Sequence, residues 1–234
     1  MLDAVSWLKG VKQNAVLIIL NQKITEVRQF ELAWNACARR VVTDGAADRL
    51  RALNNSKYVP DLIVGDFDSI NEETKTYYEK LGVKMVRDED VNRNDFMKAM
   101  IQSHEHFEDE NFTFYAFNAL GGRIDHCWSS YLILTLAEKR GDRLILLSSE
   151  NVTFKLGTGE HTIYTPKEVL DPFCGYCPVE GEANVTTKGL EWDVEDYHCS
   201  FTTRLSTSNL LTAEQVYLKT DKPVFFTLNI KPGL

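Results

Sequence analysis

The sequence has 234 residues, enough for one large domain or two small ones, and it is 44% hydrophobic and 26% charged, the balance of a chain that folds around a core in water. With 34 acidic and 26 basic side chains its net charge is −8, which excludes a general nucleic-acid binder, because that task needs basic surface against phosphates. No apolar run approaches the ~20 residues of a membrane span, and the first ten residues lack the basic start and apolar stretch of a secretory signal, so a cytoplasmic location is the default expectation.

The first buried strand is expected over residues 15–20 (A-V-L-I-I-L), and residues 25–38 have roughly helical spacing of Val27, Phe30, Leu32 and Trp34. Val41 to Thr43 reads as a second strand, and a carboxylate and a glycine, Asp44 and Gly45, follow it directly. A helix is expected over residues 46–53. Residues 60–70 (P-D-L-I-V-G-D-F-D-S-I) then organise the chain. A short, continuously apolar run ended by Gly65 is the pattern of a buried parallel strand. Asp66 and Asp68 come next, where the carboxyl end of a strand in an open α/β sheet meets its ligands. Two carboxylates one residue apart suit a hard divalent cation held through oxygen. Capping of the next helix is the plainer reading of the same pair.

Residues 71–81 read as a polar helix with Tyr77, Tyr78 and Leu81 inward, and residues 84–86 as a fourth strand. A loop dense in charge (residues 87–96, R-D-E-D-V-N-R-N-D-F) leads into a helix over residues 94–107, with Asn94 or Asp95 as its cap. Asp95 is also a further candidate carboxylate for a metal or a phosphate. After a fifth strand at residues 113–117 come Gly121 and Gly122, then Arg123, Asp125 and His126. Two glycines before a helix leave room for a phosphate on backbone N–H groups, with Arg123 as its charged clamp. The following helix, to about residue 140, is expected to bury Trp128, Leu132, Leu136 and Ala137, and residues 143–147 form a sixth strand.

Beyond Ser148 the alternation of strand and helix stops. Short strand-like runs rich in Thr, Val, Phe and Tyr take over at residues 151–156, 161–165, 173–178, 184–187, 198–203, 215–220 and 224–231. The expected organisation is therefore an α/β domain with a mostly parallel sheet over residues 1–149 and an all-β sandwich over residues 150–234. Five cysteines, an odd number, suit a reducing compartment. Cys174 and Cys177 have C-x-x-C spacing with His198 and Cys199 downstream, but no second pair exists and no helix starts at the first. Ordinary thiols are expected there, not a zinc or redox site.

Spacing thus predicts four acidic sites (Asp44, the pair Asp66 and Asp68, Asp95, and Asp125) at one end of a sheet, joined by an Arg and a Gly-Gly turn. Such a set suits Mg²⁺-dependent chemistry on a polyphosphate, where catalysis is mostly positioning and charge neutralisation. The chain contains no G-x-x-x-x-G-K-[ST] phosphate loop.

Several stretches resemble, in order, the motifs of the thiamin pyrophosphokinase family: D-G-A-A-D-R-L (44–50), P-D-L-I-V-G-D-F-D-S (60–69), N-D-F-M-K-A (94–99) and G-G-R-I-D-H (121–126). The resemblance continues with C-G-Y-C-P-V-E-G (174–181), T-T-K-G-L-E-W (186–192) and L-S-T-S-N (205–209). It implies transfer of the pyrophosphoryl group of ATP to the hydroxyethyl oxygen of thiamin, giving thiamin pyrophosphate and AMP. It also implies a homodimer with composite sites. Asp66, Asp68 and Asp95 become the Mg²⁺-side carboxylates. Asp44 with Gly45, Gly121, Gly122, Arg123 and Asp125 fall on the nucleotide side, and Ser206, Asn209 and Trp192 on the thiamin side. For Trp192 a place in the sandwich core is the equal alternative.

The sequence departs from the family between residues 91 and 95. Where a Gln-Asp pair and then Thr-Asp-Phe are usual, this chain has Val91-Asn92-Arg93-Asn94-Asp95-Phe96, and Asp48 stands where Asn is common. Two other readings compete. A haloacid-dehalogenase-like phosphatase also carries Asp-x-Asp after an apolar strand, though an all-β tail is foreign to it. A non-catalytic thiamin or nucleotide sensor would fit the altered loop.

Overall fold

A computed structural model describes residues 1–107 and 111–234, and the chain divides into two compact units. One is continuous, Lys12–Ser148. The other combines Met1–Val11 with Ser149–Leu234. The first eleven residues therefore belong with the all-β part and not, as expected, with the α/β part. The reason is local. Leu2 exchanges backbone hydrogen bonds with Thr162 and Tyr164, Trp7 and Leu8 are buried, and Lys9 pairs with Glu168.

In the continuous unit, β1 (Gln13–Ile19), α1 (Val27–Ala36), β2 (Cys37–Thr43), α2 (Asp44–Arg51), β3 (Leu62–Gly65), α3 (Glu72–Lys80), β4 (Lys84–Arg87), α4 (Asp95–His106), β5 (Thr113–Phe117), α5 (Ile124–Lys139) and β6 (Arg143–Leu147) alternate along the chain. The strands lie in the order β6-β5-β1-β2-β3-β4, each pair parallel. Ala15 to Ile19, Val41, Val42 and Leu62 to Val64 are fully buried. That explains why these strands read as unbroken apolar runs rather than alternating ones. Each such Val, Leu or Ile side chain contributes roughly 1.5–3 kcal/mol on burial. Phe30, Trp34, Tyr58 and Phe117 make a cluster of edge and tilted ring contacts at 5.2–5.6 Å.

Two helix faces differ from expectation. In α3, Thr74 and Tyr78 are buried, while Leu81 lies just past the helix and is exposed. In α5 the buried face is Cys127, Ser130, Ile133, Leu134 and Ala137, while Trp128 and Leu132 are 66% and 56% exposed. The segment L-I-L-T-L-A is apolar all round, so its own periodicity selects no face. Small residues, Cys127, Ser130 and Ala137, face inward together with Ile133 and Leu134.

The second unit contains β7 (Asn151–Leu156), β8 (Gly159–Tyr164), β9 (Leu170–Pro178), β10 (Glu182–Lys188), β11 (Tyr197–Ser200), β12 (Ser206–Leu210), β13 (Gln215–Thr220) and β14 (Val224–Ile230). They form two antiparallel groupings, β12-β9-β14-β7 and β11-β10-β13-β8. Burial alternates along β10, β13 and β14, as strands with one solvated face require. Phe226 stacks between Phe154 and Tyr176. β12 had no sequence signal. Its residues S-T-S-N-L are polar, its register against β9 shifts between Ser206 and Asn209, and Ser208 has φ +58°.

Cys174 and Cys177 lie within β9, and all five cysteines are free. Burial pushes the Cys174 thiol up to about 12 and that of Cys177 to about 11, so neither is a ready nucleophile or metal ligand. Among the described residues no helix is long and apolar enough to cross a membrane.

Candidate active site

The order of the parallel strands reverses between β1 and β5, because β2 to β4 lie on one side of β1 and β5 and β6 on the other. Loops leaving the carboxyl ends of these two strands diverge and leave a crevice. Here they are cross-braced. Gln22, just past β1, donates from Nε2 to the Asn118 carbonyl at 3.0 Å and to the Gly121 carbonyl at 2.9 Å, and Asn118 donates back to the Gln22 carbonyl at 2.9 Å. Asn118, Gly121 and Gly122 all have positive φ. A Cβ at Gly122 would stand 2.8 Å from the Gln22 side-chain oxygen, so this glycine is required both by its conformation and by its neighbour. The Gly121 N–H points to the Cys127 sulfur at 3.2 Å.

Arg123 occupies the N-cap of α5, and its guanidinium makes a two-pronged contact with Asp125 at 3.1 and 2.5 Å. Arg123 holds the Asp125 carboxyl below the ordinary carboxylate range. Both side chains are more than half exposed.

On the other side of the crevice, the turns after β2 and β3 converge. Asp44 opens α2 and is almost fully buried, with 1% exposure. Its Oδ1 accepts from the Gly45 N–H at 2.6 Å, and its Oδ2 accepts from the N–H groups of Phe67 and Ser69 at 3.1 and 3.4 Å. Asp44 thereby shapes the loop that carries Asp66 and Asp68, and Phe67 between them has φ +66°, a strained value for an aromatic residue. Asp66 accepts from the Asp68 N–H at 3.2 Å, and the Ser69 hydroxyl donates to Asp68 at 2.7 Å.

Oxygens of Asp44, Asp66 and Asp68 all lie within 4.8 Å of one another. The trio expected from sequence was Asp66, Asp68 and Asp95; the converging set shares the first two and has Asp44 as its third member. Asp95 stands at the first turn of α4, 3.4 Å from the ammonium of Lys98, which also lies 3.3 Å from Asp66. Burial, then repulsion from Asp95, raises the Asp44 pKa above the usual range, and burial likewise raises that of Asp95. Asp66 is lowered, chiefly by the Asp68 N–H. Asp125 stays apart from the trio.

Three residues here had no place in the sequence reading: Asn21, Gln22 and Lys98. Asn21 accepts from Arg49 at 3.1 Å and closes on Gly45, where a Cβ would meet its amide at 2.2 Å. A signal for Asn21 and Gln22 existed. They follow a buried strand just as Asp44 and Asp66 do, but amides carry no charge to draw notice.

In the second unit, the buried Asn209 amide is committed to a neighbouring loop. Its Oδ1 accepts from the N–H groups of Trp192 and Leu210 at 3.2 and 2.9 Å, and its Nδ2 donates to the Trp192 carbonyl at 3.0 Å. Asn209 thus grips both sides of the Trp192 residue, whose side is 58% exposed. Trp192 is therefore not a sandwich-core residue. Ser206 pairs with Tyr176 across the β12–β9 ladder. Loss of these bonds in Asn209→Ala is expected to cost about 2 kcal/mol. In a Trp128→Phe background it should also redshift the emission and ease acrylamide quenching of Trp192. Unchanged quenching would mean that the loop holds itself.

A family profile described as "Thiamin pyrophosphokinase, catalytic domain" matches residues 30–146, and one described as "Thiamin pyrophosphokinase, vitamin B1 binding domain" matches residues 160–225. The chain is 31% identical over 233 residues to "Thiamine pyrophosphokinase 1" of Oryza sativa subsp. japonica, covering 92% of this chain and 87% of that one. It is 30% identical to "Thiamin pyrophosphokinase 1" of Caenorhabditis elegans, covering 93% and 90%. Among solved structures, "Thiamin pyrophosphokinase from Candida albicans" superposes with a TM-score of 0.86 at 26% identity, over 98% of this chain and 92% of that one. This chain belongs to the thiamin pyrophosphokinase family.

For a thiamin pyrophosphokinase family member, the loop before α4 is where the sequence departs from the family pattern, and the structure gives its asparagines work. Asn94 is the N-cap of α4, accepting from the Met97 N–H at 2.9 Å and donating to Ser129 at 2.5 Å. Asn92 bonds Asp90 through both its backbone and its side chain. Asp48, where the family commonly has Asn, accepts from the backbone and side chain of Asn71 at the start of α3. The departures are thus built into helix starts and turns.

Proposed function

We propose that this chain transfers the pyrophosphoryl group of ATP to the hydroxyethyl oxygen of thiamin, releasing AMP, with Mg²⁺ held by its Asp carboxylates. The observation that carries the reading is the convergence of the Asp44, Asp66 and Asp68 oxygens beside the strand-reversal crevice. The donor set fits the metal. The oxygens of the trio are all hard carboxylate donors, and burial, with repulsion from neighbouring carboxylates adding to it, raises the Asp44 and Asp95 values, a cost that a cation would relieve. Asp66 and Asp68 would hold the ion, with Asp44 shaping their loop and Asp95 beside them.

Bound there, Mg²⁺ would withdraw charge from the phosphoryl oxygens. The chain's own residues do the rest by placement. The Gly121–Gly122 turn, braced by Gln22, lets a polyphosphate approach the start of α5. Arg123 exchanges its Asp125 partner for phosphate oxygens as charge develops. The thiamin hydroxyl oxygen attacks the β-phosphorus, the bond from that phosphorus to the α,β-bridging oxygen breaks, and the hydroxyl proton passes to a carboxylate of the cluster. On the thiamin side, the exposed Trp192 indole offers a flat face to the cationic thiazolium ring, with Asn209 fixing the loop and Ser206 on the same strand as Asn209.

Incubation with ATP, Mg²⁺ and thiamin should give one AMP per thiamin pyrophosphate. Release of ADP, or thiamin binding without turnover, would defeat the reading. The family resemblance also supports a homodimer in which thiamin lies between the α/β unit of one chain and the β unit of its partner. Chains carrying Asp68→Ala and chains carrying Asn209→Ala, mixed and re-paired, should then regain roughly a quarter of wild-type activity. No recovery after re-pairing, checked by mass spectrometry, would place each site within one chain.

A pH dependence follows from the same carboxylates. Asp44 and Asp95 bind protons more tightly in the folded chain than in the unfolded one. Their charged forms therefore cost stability above the raised values, and that cost vanishes as pH falls through them. A bound cation removes the same cost at neutral pH and competes with the protons. The rise in Tm on adding Mg²⁺ should be larger at about pH 7 than at about pH 5. Equal shifts at the two values, read by differential scanning fluorimetry, would contradict this.

A further inference from the structure

Lysine is among the residues least often buried, because its ammonium is strongly hydrated. Lys98 is an exception, with a side chain 3% exposed. It sits at the fourth position of α4, near the positive end of the helix dipole, where a cation is disfavoured. Two carboxylates offset both costs. The Nζ lies 3.3 Å from Asp66 Oδ2 and 3.4 Å from Asp95 Oδ1. Burial pulls the Lys98 pKa down, but Asp95 and Asp66 outweigh it and the net direction is up; the ammonium stays charged. Asp95 belongs to α4 and Asp66 to the loop after β3, so one buried charge ties that loop to the helix. Asp66 is also a member of the oxygen trio with Asp44 and Asp68, and so it has two claimants.

We infer that Lys98 is a resident counter-ion of the acidic cluster, a positioning residue that holds Asp66 and Asp95 in place and competes with an incoming divalent cation for the Asp66 carboxylate. This rests on the metal reading proposed above and goes beyond it. An ammonium already seated among the carboxylates keeps them from repelling one another before metal arrives. The same ammonium weakens the hold on the metal once it is bound. Without Lys98 the cluster should lean on metal for its stability and bind it more tightly.

The test is a Mn²⁺ titration by calorimetry on nucleotide-free wild type, Lys98→Met and Lys98→Arg, with Tm measured in chelator and in Mn²⁺. For Lys98→Met the Kd is expected to fall about tenfold, the effect of one unit charge facing a dication across ~6 Å of solvent-like dielectric. Its Tm should drop in chelator and recover in Mn²⁺ by more than the wild-type gain, while Lys98→Arg, which keeps the charge, stays near wild type. Unchanged or weaker Mn²⁺ binding by Lys98→Met, with a Tm loss that Mn²⁺ does not preferentially restore, would reduce Lys98 to an ordinary structural ion pair and overturn the inference alone. Absence of Mn²⁺ binding by wild type would overturn the metal reading and the inference together. Should Lys98→Met not fold without metal, folding on Mn²⁺ addition, followed by circular dichroism, supports the inference, and failure to fold with Mn²⁺ present overturns it.

Discussion

Asp68→Asn is expected to lower kcat by about a thousandfold or more while leaving the fold and thiamin binding in place, since several kcal/mol of charge stabilisation would be lost with one ligand oxygen. The substitution preserves shape. Asp68 is exposed, and its carboxylate accepts from the Ser69 hydroxyl, as an amide oxygen also can. Nothing in the core depends on it. The N–H of residue 68 still reaches Asp66, so the loop keeps its turn. What changes is the charge of the trio, and with it the affinity for a dication. The measurement is steady-state turnover with a circular dichroism control and a Mn²⁺ titration. Turnover within a factor of a few of wild type would remove Asp68 from the metal site. A variant that lost thiamin binding equally would point to a collapsed loop instead.

The second large effect is steric. Gly65→Ala should abolish most of the activity and destabilise the chain by about 1–3 kcal/mol, the range for forcing atoms into a filled space. Gly65 has ordinary backbone angles, so conformational freedom is not what it supplies. It supplies room. A Cβ there would stand 2.5 Å from Asp44 Cγ and 2.7 Å from Asp44 Cβ. Asp44 is buried and its carboxylate accepts from Gly45, Phe67 and Ser69. It cannot step aside without releasing the loop that presents Asp66 and Asp68. Unfolding in urea and turnover should fall together in this variant, unlike Asp68→Asn, where only turnover falls. A fully active Gly65→Ala protein would show that Asp44 is free to move, and its role in shaping the loop would be lost.

Strands β1, β2, β3, β5 and β6 were legible in the sequence because a doubly covered parallel sheet demands unbroken apolar runs. The carboxylates that end two of those strands were legible for a related reason. In such a sheet the residue after the strand faces the ligand end, whatever packs elsewhere. The change to short, turn-bounded runs after Ser148 likewise marked the all-β part. Short-range chemistry decided each of these, and short-range chemistry is written along the chain.

Other features depend on residues far apart, and only the tertiary structure decided them. Met1–Val11 joins the all-β unit because Leu2 meets Thr162 and Tyr164. The inward face of α5 was chosen by the sheet beneath it, since a helix apolar on every side states no preference. β12 is a strand because β9 offers its edge to a polar segment with little propensity of its own. At the site, Lys98 could not be read as a partner of Asp66, 32 residues earlier, nor Gln22 as the brace of Gly121, 99 residues later. The sequence by itself determined which groups stand at the ends of strands. Which of them touch was settled by the strand order β5-β1-β2-β3, because only that order brings the turn after β1 against the turn after β5, and Asp44 against Asp66.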